Sequence, residues 1–285
     1  MAASTPFQDP QFLKSEQYQD SHNLDARAEL HRRFSTAVTP WQKWVFPQLD
    51  LQPGSRILEC GCGPAWLWRN NLGDLPPGCH ITLTDLSDGM VTEAQAALTP
   101  SDHDFHFRTV DIQDLPFADD SFDVVIANHM LYHVPDRTQA LAEVRRVLRE
   151  DGRFYAATNG RHHMQELWQI GETLFPDTAV PLTELRAERG IGSFSLENGR
   201  EQLTAVFPHV TLHLYEDGLE VTEANALIAY LRSTSLMQNK NMLTPEKEAP
   251  LRRELQEQIN RDGAIHITKE TGLFVSWSDW QIKLV

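Results

Sequence analysis

Apolar residues change their spacing along the chain, and the changes mark its elements. Residues 1–22 are polar and lack a regular period. Leu24, Arg27, Leu30, His31 and Phe34 then recur at helical spacing, which predicts a helix over 24–35 with Asn23 as its cap. A second short helix fits 40–48, with Trp41, Trp44 and Val45 on one side. From Ser55 short apolar runs bounded by turn residues alternate with longer amphipathic segments, the pattern of βα units in a parallel sheet. Strands are predicted at 56–58, 80–84, 105–110, 122–127 and 153–158, with helices at 64–72, 90–98 and 137–149.

After the fifth strand, Met164, Leu167, Trp168, Gly171, Leu174 and Phe175 predict an amphipathic helix, and Pro176, Pro181, Gly190 and Gly192 a loop-rich segment behind it. This reads as an inserted cap. A helix fits 195–207, a strand 210–215, and a helix capped by Thr222 runs to about residue 232. Thr244 and Pro245 open a long charged helix that Gly263 ends, and a last strand fits within 272–277. The expected fold is α/β, a doubly wound, mostly parallel, seven-stranded sheet with N-terminal helices and a helical cap after strand five. Four stretches follow: a lead-in or lid (1–50), a ligand-binding core (51–160), the cap (161–208), and completion of the sheet through a long helical crossover (209–285).

With 285 residues, 41% of them hydrophobic, the chain suits one large domain or one with an insertion. A formal charge of −15 repels phosphate backbones and anionic membrane surfaces, so neither nucleic acid nor membrane is an expected partner. The start MAASTPFQDPQF lacks the features of a leader, and no stretch approaches the ~18 apolar residues of a membrane span, so a cytoplasmic protein is expected. Cys60, Cys62 and Cys79 are an odd count that suits reduced thiols, and their spacing is not that of a zinc site. No metal is expected.

Strand one runs into Glu59-Cys60-Gly61-Cys62-Gly63-Pro64-Ala65-Trp66, a turn in which two glycines let a ligand approach the backbone. As a dinucleotide fingerprint it fails, because Trp66 stands where the third glycine belongs. Strand two ends in Asp85 and strand three in Asp111, so three acids lie at the carboxyl ends of consecutive strands, where an open parallel sheet forms its crevice. Acids in that position each have a plainer use as helix caps. Three beside a glycine turn suit a ligand with hydroxyls, amines and positive charge and without phosphate, and S-adenosylmethionine is such a ligand.

At these residues the chain resembles the class I S-adenosylmethionine-dependent methyltransferases, particularly the branch that includes ubiquinone and menaquinone biosynthesis enzymes. The likeness covers about 55–159, through Leu58-Glu59-Cys60-Gly61-Cys62-Gly63, Thr84-Asp85-Leu86-Ser87-Asp88-Gly89-Met90, Asp111-Ile112-Gln113-Asp114-Leu115-Pro116-Phe117, Ser121-Phe122-Asp123-Val124-Val125 and Arg146-Val147-Leu148-Arg149-Glu150-Asp151-Gly152. The resemblance implies a Rossmann-like fold and S-adenosylmethionine as cofactor. By it, Gly61 and Gly63 touch the methionine moiety, Glu59 supports its ammonium and Asp85 holds the ribose. Leu86 and Met90 pack on the adenine, Asp111 and the Ile112 backbone read its edge, and Asn128 lies near the methionine amine. The chain departs from the family at Ala65, where a third glycine is frequent, and at Asp151 before Gly152.

The acceptor side is less defined. His133 follows the strand that ends beside the methyl group and is the candidate base or orienter, while His129, His163 and Tyr18 are candidate acceptor contacts. A packed histidine or a core aromatic is the plainer account of each. Residues 18–35 and 161–192 are expected to close over the ligand. The predicted activity is in-line methyl transfer to a small-molecule acceptor. Competing readings are a protein of this fold that binds S-adenosylmethionine without turnover and, more distantly, an NAD-dependent oxidoreductase. The sequence leaves acceptor identity and oligomeric state open.

Overall fold

The computed structural model describes residues 8–174, 191–234 and 243–278. The leading stretch is less irregular than its composition implies. The Asp9 carboxylate accepts from the backbone N–H groups of Gln11 and Phe12 and starts α1 (Pro10–Phe12), which continues as a wider turn at Leu13–Gln17. The helix α2 (His22–Phe34) begins two residues before its expected start. Asn23 does not cap it, because its amide donates instead to the Gln17 carbonyl at 3.1 Å. The short α3 (Trp41–Val45) follows.

The βα alternation read from the sequence is then observed. In order come β1 (Arg56–Cys60), α4 (Trp66–Arg69), β2 (His80–Asp85), α5 (Asp88–Leu98), β3 (Asp104–Thr109), β4 (Phe122–Asn128), α6 (Arg137–Val147) and β5 (Leu148–Asn159). Ser87 and Asp136 supply side-chain caps to α5 and α6. The chain continues through α7 (Gln165–Leu174), α8 (Gly199–Thr204), β6 (His209–Tyr215), β7 (Gly218–Val221), α9 (Ala224–Arg232), α10 (Pro245–Asp262), β8 (Ile265–Thr268) and β9 (Thr271–Trp277). The loop with Pro176, Pro181 and Gly190 lies outside the described residues.

Seven strands form one sheet in the order β3-β2-β1-β4-β5-β9-β6, with β1 to β5 parallel and β9 antiparallel to both its neighbours. The order reverses between β1 and β4, so a crevice opens beyond their carboxyl ends. The central strands β1, β4 and β5 are buried on both faces, with Leu58, Val125 and Phe154 in one core and Ile57, Ile126 and Tyr155 in the other.

A third core lies away from the sheet. It joins Leu30 and Phe34 of α2, Leu167 and Trp168 of α7, Leu227 and Leu231 of α9, and Leu251, Leu255 and Ile259 of α10. The antiparallel ribbon of β7 and β8 completes it. That ribbon was not anticipated, although Leu219 and Val221, like Ile265 and Ile267, alternate with polar neighbours as half-buried strands do. Thr222 does not cap α9, whose N-cap position is held by Glu223 without a side-chain bond. Pro245 and Gly263 bound α10 as read, Gly263 at φ +87°. Among the described residues no helix is long and apolar enough to cross a membrane.

Candidate functional site

A cavity of about 1010 Å³ extends from the carboxyl ends of β1, β2 and β4 along α2 to the ends of β5 and β9. Every site residue singled out from the sequence lines it: Glu59, Gly61, Gly63, Asp85, Leu86, Met90, Asp111, Ile112, Asn128, Tyr18, His129, His133 and His163.

At the first end the chain turns tightly after β1. Gly61 and Gly63 have φ of +70° and +52°, the left-handed region in which glycine is free of a Cβ penalty. Ala65 adopts φ +59° as well, at a cost of roughly 1–2 kcal/mol for a residue with a Cβ. The turn is pinned to β2, because the Gly63 N–H donates to Asp85 Oδ2 at 3.0 Å and the Cys62 N–H to the Thr84 carbonyl at 2.9 Å. Asp85 Oδ1 accepts from the Ser87 N–H at 2.9 Å. A Cβ on Gly61 would lie 2.8 Å from the Met130 side chain, so this glycine gives close packing within the protein as well as access.

The three strand-end acids differ in their surroundings. Glu59 is 2% exposed; Trp68 Nε1 donates to it at 2.6 Å and Asn128 Nδ2 at 3.3 Å. Burial pushes its carboxyl up to about 8, against the pull of those two bonds. Burial also raises Asp85, opposed by the backbone N–H groups around it. Asp111 is gripped by Gln113, whose backbone and side-chain nitrogens donate to it at 2.9–3.0 Å. Neither Trp68 nor Gln113 was read as a site residue. Asn128 lines the cavity, and its Oδ1 is buried without a hydrogen-bond partner, an acceptor suited to a cationic donor such as an ammonium. Asp85, Glu59 and this amide oxygen therefore fit the cofactor's charge and hydroxyls.

The far end is assembled from distant segments. Tyr18 Oη and His133 Nε2 are 2.9 Å apart, and the Arg27 guanidinium lies 5.6 Å from the Tyr18 ring centre. His129, at the end of β4, sits at φ +53° with its ring 5.1 Å from that of Trp41. His163 is 5% exposed; its Nδ1 accepts from the Glu270 N–H at 3.3 Å, and its ring is 6.3 Å from that of His31. Asp217, its side chain wholly buried, pairs with Lys269. Burial, reinforced by Lys269, lowers His31 to about 3 and His129 to about 4, so both are neutral near pH 7. Arg27, His31, Asp217 and Lys269 were not named as site residues from the sequence. Arg27 and His31 were visible only as polar positions in the helical stripe of α2.

The segment before α2 crosses the first end of the cavity. The Ser87 hydroxyl donates to the Tyr18 carbonyl at 2.7 Å and the Ser21 N–H to Glu93 Oε1 at 3.0 Å. A Cβ on Gly89 would come within 1.9 Å of the Gln19 carbonyl oxygen, so only glycine permits this crossing. Of residues 161–192, His163 lines the cavity, and 175–190 lie outside the described residues.

A profile described as a methyltransferase domain matches residues 58–156. A malonyl-[acyl-carrier protein] O-methyltransferase of Erwinia billingiae is 30% identical over 184 residues, 52% of this chain and 68% of the relative. A demethylmenaquinone methyltransferase of Listeria monocytogenes is 32% identical over 115 residues, 40% of this chain and 48% of that one. In fold, the chain resembles a Haemonchus contortus phosphoethanolamine N-methyltransferase 2 in complex with S-adenosyl-L-methionine, with a TM-score of 0.59 at 17% identity over 97% of this chain and 60% of that chain. The [4+2]-cyclase SpnF has the same fold at 16% identity and a TM-score of 0.59, covering 94% of this chain and 97% of its own. The chain belongs to the class I S-adenosylmethionine-dependent methyltransferases. Its cofactor is S-adenosylmethionine and its reaction class is methyl transfer.

Proposed function

We propose that the protein methylates a small-molecule acceptor held in the far half of the cavity, with the cofactor along the ends of β1, β2 and β3. The observation that carries this is the single cavity of about 1010 Å³, which joins the strand-end acids to the polar cluster around His133 and His163. That volume lies at the top of the range of roughly 300–1,000 Å³ for small-ligand sites, enough for two ligands meeting inside.

In this reading Asp85 takes the ribose hydroxyls, and Glu59 with Asn128 takes the methionine ammonium. Leu86, Met90 and Ile112 border the adenine, with Asp111 at its edge. The cofactor supplies an electrophilic methyl on a sulfonium. The chain's part is to hold the acceptor in line with it, an effect that supplies roughly 7–11 kcal/mol when both partners are fixed. Tyr18 and His133 hold the acceptor end in place, and His133 removes a proton where the acceptor carries one. The free, buried cysteines suit a reducing compartment, and we place the protein in the cytoplasm.

Two of the relatives' names point to small acceptors or carrier-bound acyl groups, which supports this class without choosing among its members. The test is incubation with methyl-labelled cofactor and a metabolite extract, beside calorimetry with S-adenosylhomocysteine and NAD. Label in a small product and tight binding of S-adenosylhomocysteine are expected. Binding without any labelled product favours a non-catalytic role, and tighter binding of NAD overturns the reading.

A further inference from the structure

We propose that the acceptor is an organic anion whose charged oxygen is held by Arg27, with His31 meeting a polar atom beside it. This rests on the methyltransferase reading above and names the acceptor class for the same site.

Arg27 and His31 are four residues apart on α2, so they share a face about one helical turn apart. Arg27 Nε donates to the Asn23 carbonyl at 3.1 Å, but its Nη2 is buried and has no hydrogen-bond partner. His31 Nδ1 is likewise buried and unpartnered. Both residues line the cavity. Two orphaned polar atoms on one face are costly unless a ligand satisfies them, and the cost is greatest for a cation.

The surrounding charges leave Arg27 uncompensated among the described residues. Lys269 is closed by Asp217, and His31 and His129 are neutral near pH 7. On α2 itself, Glu29 is taken by Arg32 and Asp25 accepts from the Ser21 hydroxyl. Around the guanidinium stand Tyr18, whose hydroxyl already accepts a hydrogen bond from it, and Tyr230 and Tyr132; none of them is a carboxylate, and Nη2 is left unpartnered. A planar fork in such a setting selects a carboxylate or a comparable ionised oxygen.

The cofactor's own carboxylate has the same chemistry, but the run of α2 favours the acceptor. Leu24, a turn before Arg27, is the residue that approaches Gly63 of the first turn. His31, a turn after it, lies beside His163 and meets the Tyr230 ring edge-on, with 5.9 Å between ring centres. Arg27 thus belongs with Tyr18 and His133 rather than with the glycine turn.

The test uses the full chain saturated with S-adenosylhomocysteine, titrated by calorimetry with benzoate, cinnamate and octanoate and with the methyl ester of each. At least one acid is expected to bind more tightly than its ester, and Arg27→Met to weaken that acid roughly 10–100-fold while leaving the ester unchanged. Arg27→Lys, which keeps the charge without the fork, should fall between, and it replaces Arg27→Met if circular dichroism shows that variant unfolded. S-adenosylhomocysteine affinity should change less than threefold in either. A tenfold loss of S-adenosylhomocysteine affinity would assign Arg27 to the cofactor and overturn the proposal. So would acids that bind wild type no better than their esters, or an acid that binds the variants as well as wild type. Failure of wild type to bind S-adenosylhomocysteine at all would instead overturn the parent reading.

Discussion

The two ends of the cavity are built in opposite ways. At the glycine-turn end each strand-end acid takes its shortest hydrogen bond from a residue at most nine positions further on: Trp68 for Glu59, Ser87 for Asp85, Gln113 for Asp111. At the far end long-range pairs predominate, among them Tyr18 with His133, Asp217 with Lys269 and Asn159 with Thr271, separated by 52 to 115 residues. The first end is local chemistry on a rigid sheet. The second exists only where α2, held in the third core, meets the ends of β4, β5 and β9, held in the sheet.

The sharpest way to separate the ends is His133→Ala. If His133 is a general base, the chemical rate falls by about 10²–10⁴-fold and the acidic limb of the pH profile disappears. Lost acceptor affinity with an unchanged profile makes its role positional. Either way S-adenosylhomocysteine binding should stay as in wild type, and its loss would break the comparison.

Acid should act first on the far end. An unfolded chain protonates both imidazoles below about 6.5, whereas in the folded protein His31 and His129 stay neutral to about 3 and about 4. Their contribution is whole above 6.5 and is lost as pH falls, at up to about 1.4 kcal/mol per pH unit for each. Glu59, raised to about 8, gains a proton on folding over the same range and opposes this decline in wild type, so thermal melts of Glu59→Gln between pH 7.5 and 5 should show it, and adding His31→Gln should remove about half of it. A melting temperature of Glu59→Gln independent of pH in that window would contradict the burial of these two rings.

The next effect lies at the cofactor end, where Asp85→Ala should weaken S-adenosylhomocysteine by about 1.5–3 kcal/mol in a calorimetric titration. The smallest concerns Glu59. A cationic ligand favours its ionised form, which the free protein populates only above about 8. S-adenosylmethionine affinity should therefore rise about tenfold per pH unit toward that value and level off beyond it. Glu59→Gln should flatten the dependence, and a slope equal to wild type in that variant would assign the titration elsewhere.

The same contrast explains what could be read in advance. The strands β1 to β5, the glycine turn and the three acids lie in one continuous stretch where periodicity and turn chemistry act locally, so they were legible. The ribbon of β7 and β8 is only four residues per strand and pairs 218–221 with 265–268, a partnership no local window contains. Arg27 and His31 were counted in the stripe of α2 because spacing alone cannot tell a core-facing position from a cavity-facing one. Glu59 was visible as a carboxylate. Its elevated pKa was not, because Trp68 and the burial that sets it are tertiary facts.

The crossing at Gly89 bears on the order in which ligands come and go. The backbone of Gln19 rests directly on Gly89, tied on either side through Ser87 and Glu93, so the segment lies across the end of the cavity beyond β2 like a bolt. Its continuation α2 is anchored in the third core by Leu30 and Phe34 and cannot swing aside without exposing them. Opening is therefore expected at the hydrogen bonds around residues 18–21, with α2 staying in place. If the nucleoside binds beneath this segment, the expected kinetics are sequential, with the nucleoside partner loading before the bolt seats and leaving after the methylated product. In steady-state patterns S-adenosylhomocysteine would then compete with S-adenosylmethionine but not with the acceptor, and Gly89→Ala, by keeping the bolt unseated, would relax that order.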